Sequence, residues 1–294
     1  MSALAFATLA LALTGPVPAL LARASWPLRA PRAAVVLWQA VALAAVLSAF
    51  SAGLSVVALL LKRGVSALGW PLWLAGATVF AGTLLIGVRL VVAVVAVAIG
   101  TRRRRARHRM VVDLVGACRH DDVRVLGVPE PMAYCLPGMR SRVVVSEGAL
   151  QVLTTPEIEA ILHHERAHLR ARHDLVLEAF IAAHTAFPKF VRSASALSAV
   201  RLLVELLADD SAVRVAGPRP LARALVACAA APTPAGALAA GGPTTVIRVQ
   251  RLSGRSNSRL LGLAAYLGAA AILVLPTIAI AVPWLTELHR FFWA

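Results

Sequence analysis

The sequence predicts a predominantly α-helical membrane protein, with four transmembrane helices and one α+β domain between the third helix and the fourth. Two observations lead to this fold class. Hydrophobic residues make up 59% of the 294 residues, whereas a soluble domain averages about 45–50%. Four apolar stretches, at residues 2–22, 33–61, 71–100 and 260–285, also reach the length of about 20 residues that a helix needs to cross a bilayer.

Three of the predicted spans contain an unusual residue. Gly15 and Pro16 interrupt the first span, which lacks the positive n-region of a signal peptide, so we expect a retained helix that is broken or short. Arg89, inside the third span, is costly in a bilayer unless it snorkels to the surface. An ion pair between Arg89 and an acid of the domain is the functional alternative. Pro276, in the fourth span, is tolerated in membrane helices.

The arginines predict how the spans are oriented. They are concentrated at residues 23–32 between spans one and two, at 102–109 after span three and at 248–259 before span four. By the positive-inside rule these segments are cytoplasmic, and both chain ends lie outside a bacterial cytoplasmic membrane. The net charge of +16 is thus a topology signal. A DNA-binding arm at 102–109 is disfavoured, because the run adjoins a membrane helix and has no interleaved aromatic residues, so direct nucleic-acid binding is not expected.

Residues 101–258 form the predicted cytoplasmic domain. Residues 1–100 before it are the membrane domain with three spans, and residues 259–294 after it are the fourth span and a short tail. Within the domain, β-branched runs at 123–128 and 142–146 are separated by Pro and Gly residues. This pattern predicts a small unit of strands and turns.

The segment 154–169 predicts a metal site on a helix. It begins with a capping Thr, Pro156 in the first turn and two acids, and it continues with an apolar pattern of helical period. His164 and His168 are four residues apart, so both imidazoles project from one face and can bind one zinc ion. Glu165 between them is then the general base that activates water for peptide hydrolysis. A surface helix with solvated histidines is the alternative.

A catalytic zinc ion needs a third protein ligand, and the sequence offers two candidates. Glu205 lies on a second apolar-patterned helix, and Asp209, four residues later, can accept the spare N–H of a zinc-bound histidine. The rival is Asp174, ten residues after His164, which requires the chain to turn back at once. The turn position is Ala171, and no glycine lies between His168 and Asp174, so a helix that continues through Ala171 would carry Asp174 away from the metal. We therefore predict that Glu205 is the third ligand.

Two further residues near these motifs have open roles. His173 could support Asp174, contact substrate or be solvated. Tyr134 could donate a hydrogen bond to the developing oxyanion of a reaction, and a purely structural aromatic is the alternative.

Four segments of the domain resemble the gluzincin membrane peptidases, specifically the M56 family of BlaR/MecR-type regulators, with the HtpX-type M48 peptidases as relatives. In the order of that family, they are residues 133–138, 142–146, 163–174 and 205–209. The resemblance implies a gluzincin-like zinc peptidase domain in which His164, His168 and Glu205 bind zinc and Glu165 is the catalytic base. It also implies a second shell around the metal, for which Asp209, His173 and Asp174 are the candidates.

The resemblance also implies how a substrate binds. A strand with an exposed edge would pair with an extended peptide, and it comprises Met132, Ala133, Tyr134, Cys135 and Leu136. Family members that sense β-lactams carry an extracellular penicillin-binding domain after the last span, and we do not expect one in this chain, which lacks the Ser-x-x-Lys and Lys-Thr-Gly motifs. The related regulators act in signal transduction by causing cleavage of a DNA-bound repressor, so a small winged-helix repressor is the expected substrate.

Two other functions compete with the metallopeptidase. A non-enzymatic signalling or scaffold protein with a structural zinc site is disfavoured, because such a site is normally closed by four protein ligands. A metal transporter would need ionisable residues facing each other within the spans. Apart from Arg89, the predicted spans contain almost none.

Overall fold

The computed structural model describes residues 2–120, 122–187, 194–229, 238–239, 244–254 and 257–293. Within these ranges the protein is mostly helical and has a small mixed sheet. It divides into two compact units. The first unit comprises Met1–Ala93, Ala183–Ser198 and Ser258–Ala294, and the second comprises Val94–Ala182 and Ala199–Asn257.

The first unit is built from long apolar helices. They are α1 (Ser2–Thr14), α2 (Pro16–Arg23), α3 (Pro31–Leu68), the beginning of α4 (Trp70–Val115) and α11 (Arg259–Trp293). Helices α1 and α11 pack against α3 through apolar side chains that include Leu13, Val41 and Ile272. Among the described residues, four helical stretches are long and apolar enough to cross a membrane: Ala3–Arg23, Pro31–Leu60, Trp70–Val115 and Arg259–Ile278. They overlap the four predicted spans and are compatible with a membrane protein.

The structure shows the surroundings of the unusual residues in the predicted spans. The first span is broken after Gly15, where Pro16 begins α2, whereas α11 continues through Pro276. Arg89 donates from Nε to the backbone oxygen of Ala186 at 3.2 Å. Ala186 is the last residue of helix α7 (His173–Ala186), so the guanidinium satisfies a carbonyl at a helix end. Snorkelling of Arg89 to the membrane surface, and its alternative, an ion pair with an acid of the domain, both stay predictions.

Helix α4 extends beyond the predicted end of the third span. It runs on to Val115, and Gly116 follows it. The arginine-rich run 102–109 is therefore helical, in keeping with the good helix propensity of Arg and Ala. Two of its arginines make contacts within the second unit, to which this part of α4 belongs. Arg105 forms ion pairs there, and Arg109 donates to the backbone oxygen of Pro137 at 2.8 Å.

The second unit contains a five-stranded sheet. In chain order its strands are β1 (Ala117–His120), β2 (Val123–Leu126), β3 (Ala133–Leu136), β4 (Arg142–Ser146) and β5 (Leu238–Ala239). The spatial order is β1-β2-β4-β3-β5. β2 and β4 are parallel, and the other neighbours are antiparallel. The predicted strand-and-turn unit is thus present, and β5 joins it from a distant part of the chain.

The second unit also contains helices. They are α5 (Glu147–Val152), α6 (Thr155–Arg170), most of α7, most of α8 (Ala194–Ala216), α9 (Pro218–Ala227) and α10 (Thr245–Leu252). Helix α6 packs against both the sheet and α9. The main core lies there and includes Val143, Val145, Ile161 and Leu225.

The two faces of β3 have different neighbours, because side chains alternate along a strand. Ala133 lies in the main core with residues of α6. Tyr134 and Leu136 lie on the opposite face, in a separate cluster with Val112 of α4 and Val144 of β4. Only the first of these faces points towards α6.

Candidate metal centre

Helix α6 begins and ends with defined local structure. Thr154 and Glu157 form a capping box, in which the Thr154 backbone N–H donates to Glu157 Oε2 at 2.8 Å. The helix ends at Arg170, and Arg172 then adopts a left-handed backbone with φ 50°. A side chain in this conformation costs roughly 1–2 kcal/mol. The chain therefore turns without the glycine that we considered necessary, and our premise that the helix continues through Ala171 was wrong.

The motif residues of α6 lie in the interior of the second unit. His164, Glu165 and His168 are each fully buried. The two imidazoles share one face of the helix as the spacing predicts, and their Nε2 atoms are 3.2 Å apart. The neighbouring His163 faces elsewhere, towards Glu159 at 3.9 Å. Solvated histidines on a surface helix are thereby excluded.

Helix α8 brings Glu205 to the same point. Glu205 Oε2 is 3.4 Å from His164 Nε2, and Glu205 Oε1 is 3.5 Å from His168 Nε2. Tetrahedral zinc with N and O ligands at 2.0–2.1 Å places its donor atoms about 3.3–3.4 Å apart. The observed separations fit this requirement. Among the described residues, His164, His168 and Glu205 form the group of His, Cys, Asp and Glu side chains that could hold a metal ion.

A second side chain contacts the Nδ1 atom of each histidine. Asp209 Oδ1 lies 3.0 Å from His164 Nδ1, which is the role predicted for Asp209. His173 Nδ1 lies 3.1 Å from His168 Nδ1, so His173 contacts a histidine of the pair. Such contacts fix the ring orientation and leave Nε2 facing the site.

Asp174, the rival ligand, lies in a different cluster. Its carboxylate is buried and pairs with Arg105 at 3.0 Å, and Arg105 also binds Glu178 at 2.7 Å. The turn at Arg172 directs Asp174 towards α4, away from the imidazole pair. Asp174 thus belongs to a buried ion-pair cluster, and its expected place in the second shell of a metal stays a prediction.

Glu165 has an environment suited to proton transfer. Neither of its carboxylate oxygens makes a hydrogen bond within the described structure, although the thiol of Cys135 on β3 is a close polar neighbour that affects its pKa. Burial, reinforced by the negative charge of Glu205, raises the pKa of Glu165 to about 8. A carboxyl group with a pKa near neutrality can both take up and release a proton in a reaction.

The protonation of the donors follows from burial and from their neighbours. Burial lowers the pKa of His168 to about 3. Burial also opposes the charged form of His164, but hydrogen bonds with Asp209 and Glu205 raise its pKa to about 9. Burial opposes the ionisation of Glu205, yet the charges of His168 and Arg248 lower its pKa to about 2. Glu205 is therefore ionised at neutral pH, as a metal ligand must be.

Arg248, on α10, belongs to this centre and was not predicted. Its side chain is 1% exposed. It donates from Nε and Nη2 to the two oxygens of Asp209 at 2.8 and 2.6 Å, and its Nη1 is 3.0 Å from Glu205 Oε2. We counted Arg248 and Arg251 among the arginines that predict the membrane topology, and the structure buries both in ion pairs. The sequence feature that could have indicated these ion pairs is the spacing of three residues between Arg248 and Arg251, which matches the two adjacent acids Asp209 and Asp210.

The strand expected to bind substrate is integrated into the sheet. Residues Ala133–Leu136 are all buried. In the described structure, the outer edge of β3 pairs with β5, with Tyr134 opposite Ala239 and Cys135 opposite Leu238. The Met132 backbone N–H also donates to Ser146 Oγ at 2.9 Å. The exposed strand edge that the resemblance implied is therefore occupied by the chain itself.

Tyr134 does not face the metal donors. Its hydroxyl is 2.9 Å from His108 Nε2 of α4, on the face of the sheet opposite α6. The suggestion that Tyr134 stabilises an oxyanion is therefore wrong, because side-chain alternation places the ring on the other side of β3. The structural alternative for this aromatic residue holds.

Comparison with protein families places this architecture among known enzymes. The family model for Peptidase family M48 matches residues 98–256, which is more than half of the chain. The match spans the sheet, the three donors and Arg248. The curated proteins and the solved structures compared with the chain gave no match. Assignment to the M56 family remains a prediction.

Proposed function

The chain belongs to Peptidase family M48, and from this premise we propose that it is a zinc metalloendopeptidase that hydrolyses peptide bonds of a protein substrate. One observation carries the proposal. The Nε2 atoms of His164 and His168 are 3.2 Å apart, and each lies 3.4–3.5 Å from one of the two carboxylate oxygens of Glu205, beside the buried carboxyl group of Glu165. Two imidazoles and one carboxylate leave a fourth position free for catalysis, as in catalytic zinc sites.

In this proposal each residue has a defined task. His164, His168 and Glu205 hold the ion, and Asp209 and His173 keep the two rings oriented. Bound zinc supplies Lewis-acid chemistry, which polarises a peptide carbonyl and acidifies water. Glu205 retains 15% side-chain exposure, whereas both imidazoles have none. Solvent and substrate therefore approach from the side of Glu205.

Glu165 moves the proton in the proposed reaction. As water attacks the peptide carbonyl carbon, one Glu165 oxygen takes a proton from that water. When the C–N bond breaks, the same oxygen delivers the proton to the departing amide nitrogen, and Glu165 returns to its ionised form. The burial that raises its pKa to about 8 makes the protonated intermediate accessible near neutral pH.

A non-catalytic signalling or scaffold protein with a structural metal site is the second candidate. The observation in its favour is that β5 occupies the edge of β3, where the resemblance predicts the substrate. Against it stands the donor set, because no fourth His, Cys, Asp or Glu joins the three donors in the described part of the chain. Structural zinc sites are normally closed by four protein ligands.

The activity test uses purified protein with zinc and β-casein as an unstructured probe substrate. We expect the wild type to cleave casein and Glu165→Gln to lose at least about 100-fold in rate, in the range of general acid–base catalysis, while it retains zinc. Glu159→Gln is the matched control, since Glu159 is an exposed acid of the same helix. Cleavage that persists in Glu165→Gln removes this residue from the mechanism. Zinc-loaded wild type that cleaves nothing favours the scaffold.

We also propose that the enzyme is integral to the bacterial cytoplasmic membrane, with its second unit in the cytoplasm. Four long apolar helices and the arginine-rich segments beside them support this placement. The native Cys118 is exposed, whereas Cys135 and Cys228 are buried, so Cys118 can report the topology. A membrane-impermeant maleimide should label it only after the cells are permeabilised, and Cys118→Ser is the control. Labelling in intact cells would contradict the orientation.

We also propose a specific class of protein substrate. The resemblance of residues 163–174 and 205–209 to BlaR/MecR-type regulators supports a small winged-helix repressor as the substrate, in a signalling pathway. Incubation of zinc-loaded protein with a repressor encoded beside it should give one or two defined fragments. An intact repressor under conditions in which casein is cut would reject this substrate and leave the peptidase proposal in place.

A further inference from the structure

Helix α10 presents two arginines to two adjacent acids of α8. Arg248 binds Asp209 through two hydrogen bonds of 2.8 and 2.6 Å. Arg251 binds Asp210 in the same two-pronged way, at 2.6 and 3.0 Å. Such paired contacts are the strongest that a guanidinium makes with a carboxylate. The two pairs join the same two helices through the same chemistry, although Arg248 uses Nε and Nη2 and Arg251 uses Nη1 and Nη2.

The two arginines differ in what else they contact. Arg248 Nη1 lies 3.0 Å from Glu205 Oε2, and Arg248 Nη2 lies 3.4 Å from His164 Nε2. Arg251 instead continues to Asn257 at 2.6 Å. One member of the pair therefore touches the donor atoms of the proposed metal site, and the other binds the neighbouring acid and Asn257.

Arg248 counteracts the repulsion between two carboxylates of α8. Glu205 and Asp209 are one helical turn apart, and like charges at this spacing repel each other. Both are drawn to His164, which is 3.4 Å from Glu205 Oε2 and 3.0 Å from Asp209 Oδ1. The planar guanidinium has enough donors, at fixed angles, to hold both carboxylates at once. A lysine ammonium carries the same charge but lacks the planar, forked arrangement of N–H donors.

We propose that Arg248 is a positioning residue of the metal centre, which fixes the carboxylates of Glu205 and Asp209 so that Glu205 and His164 present their donor atoms together. This inference rests on the proposed function. Asp209 Oδ1 is shared between Arg248 Nη2 at 2.6 Å and His164 Nδ1 at 3.0 Å. Arg248 thus reaches one ligand directly and another through Asp209.

Arg248 contributes both a positive charge and an orienting contact, and the loss of each should change the zinc affinity in opposite directions. Removing a positive charge beside a cation site should strengthen metal binding by electrostatics alone. Removing a group that orients the ligands should weaken it, typically 10–100-fold. We expect position to dominate, because two carboxylates and one imidazole lose their shared anchor at the same time.

The experiment measures the zinc dissociation constant by competition with a chromophoric chelator, on purified full-length protein. Arg248→Met should bind zinc 10–100-fold more weakly than the wild type. Arg248→Lys, which keeps the charge without the fork, should bind more weakly as well. Arg251→Met, the matched control, should retain wild-type affinity. The absorption bands of the cobalt-substituted protein should change in both Arg248 variants and not in Arg251→Met.

Each outcome decides between the inferences. Wild type that binds no zinc, or Glu205→Ala that binds it normally, rejects the proposed metal site itself. If those two behave as expected, equal or tighter binding by Arg248→Met overturns the positioning role. Wild-type affinity in Arg248→Lys shows that charge suffices, and it also overturns the role. Circular dichroism identifies any variant that has not folded, and Arg248→Lys then carries the test.

Discussion

Replacing Glu165 by Gln should stabilise the metal-free protein, and the gain should increase with pH. Burial raises the pKa of Glu165 from its ordinary value of 4.5 to about 8. A group whose pKa is higher in the folded state binds its proton more tightly there. Folding is therefore progressively disfavoured as the pH rises from 4.5 towards 8. Gln has nearly the same shape and does not titrate, so the variant escapes this cost.

The size of the effect follows from the two pKa values. Each pH unit above the unfolded value costs about 1.4 kcal/mol until the folded value is reached. The variant should therefore gain about 1 kcal/mol at pH 5 and about 3 kcal/mol at pH 7. The gain should level off above pH 8. At about 2–4 °C per kcal/mol, the melting temperature should rise by roughly 6–12 °C at pH 7.

The assay compares thermal unfolding of wild type and Glu165→Gln between pH 5 and pH 9, in detergent with a chelator present. Glu159→Gln removes an exposed acid from the same helix, so it should give no comparable gain. Saturation with zinc should shrink the difference, because a cation beside Glu165 favours its ionised form. A pH-independent difference, or a less stable variant at pH 7, would refute the reasoning that burial controls this carboxyl group.

Three further outcomes are expected. Metal content after dialysis should fall to background in Glu205→Ala and stay at the wild-type level in Asp174→Asn; the reverse result would restore Asp174 as the ligand. Arg105→Met should lower the free energy of unfolding by about 3–5 kcal/mol in urea titrations, because the buried carboxylates of Asp174 and Glu178 lose their nearest guanidinium, and an unchanged midpoint would contradict the ion-pair cluster. The double variant Leu238→Pro/Ala239→Pro removes both N–H donors of β5. It should speed casein cleavage if substrate pairs with β3, and unchanged cleavage would argue against that strand as the binding edge.

The parts of the site that lie close together in sequence could be predicted from it. His164 and His168 share a face because a helix repeats every 3.6 residues, and the same spacing links Glu205 with Asp209. The capping box at Thr154 shows where this helix begins. Apolar length likewise located the four long helices of the first unit.

Predictions that depended on where the chain turns were less successful. We excluded Asp174 by assuming a continuous helix, but the helix ends at Arg170 and Arg172 adopts a left-handed backbone without glycine. The conclusion survives for a different reason, which is the ion pair between Asp174 and Arg105. Local propensity does not show this, because tertiary contacts can stabilise a strained turn.

The sequence by itself determined the apolar helices, the pair of imidazoles on one face of α6 and the pairing of Glu205 with Asp209 on α8, since each follows from apolar length or helical periodicity. The tertiary structure brings Glu205 to the imidazoles. Only the tertiary structure decided that Arg248 holds Glu205 and Asp209 from about 40 residues away, that Tyr134 faces α4 and that β5 covers the edge of β3. These contacts join segments whose separation in sequence carries no periodic signal. The sequence does not distinguish a buried arginine from a solvated one, so only the tertiary structure shows that Arg248 is buried against the donors of the candidate metal centre.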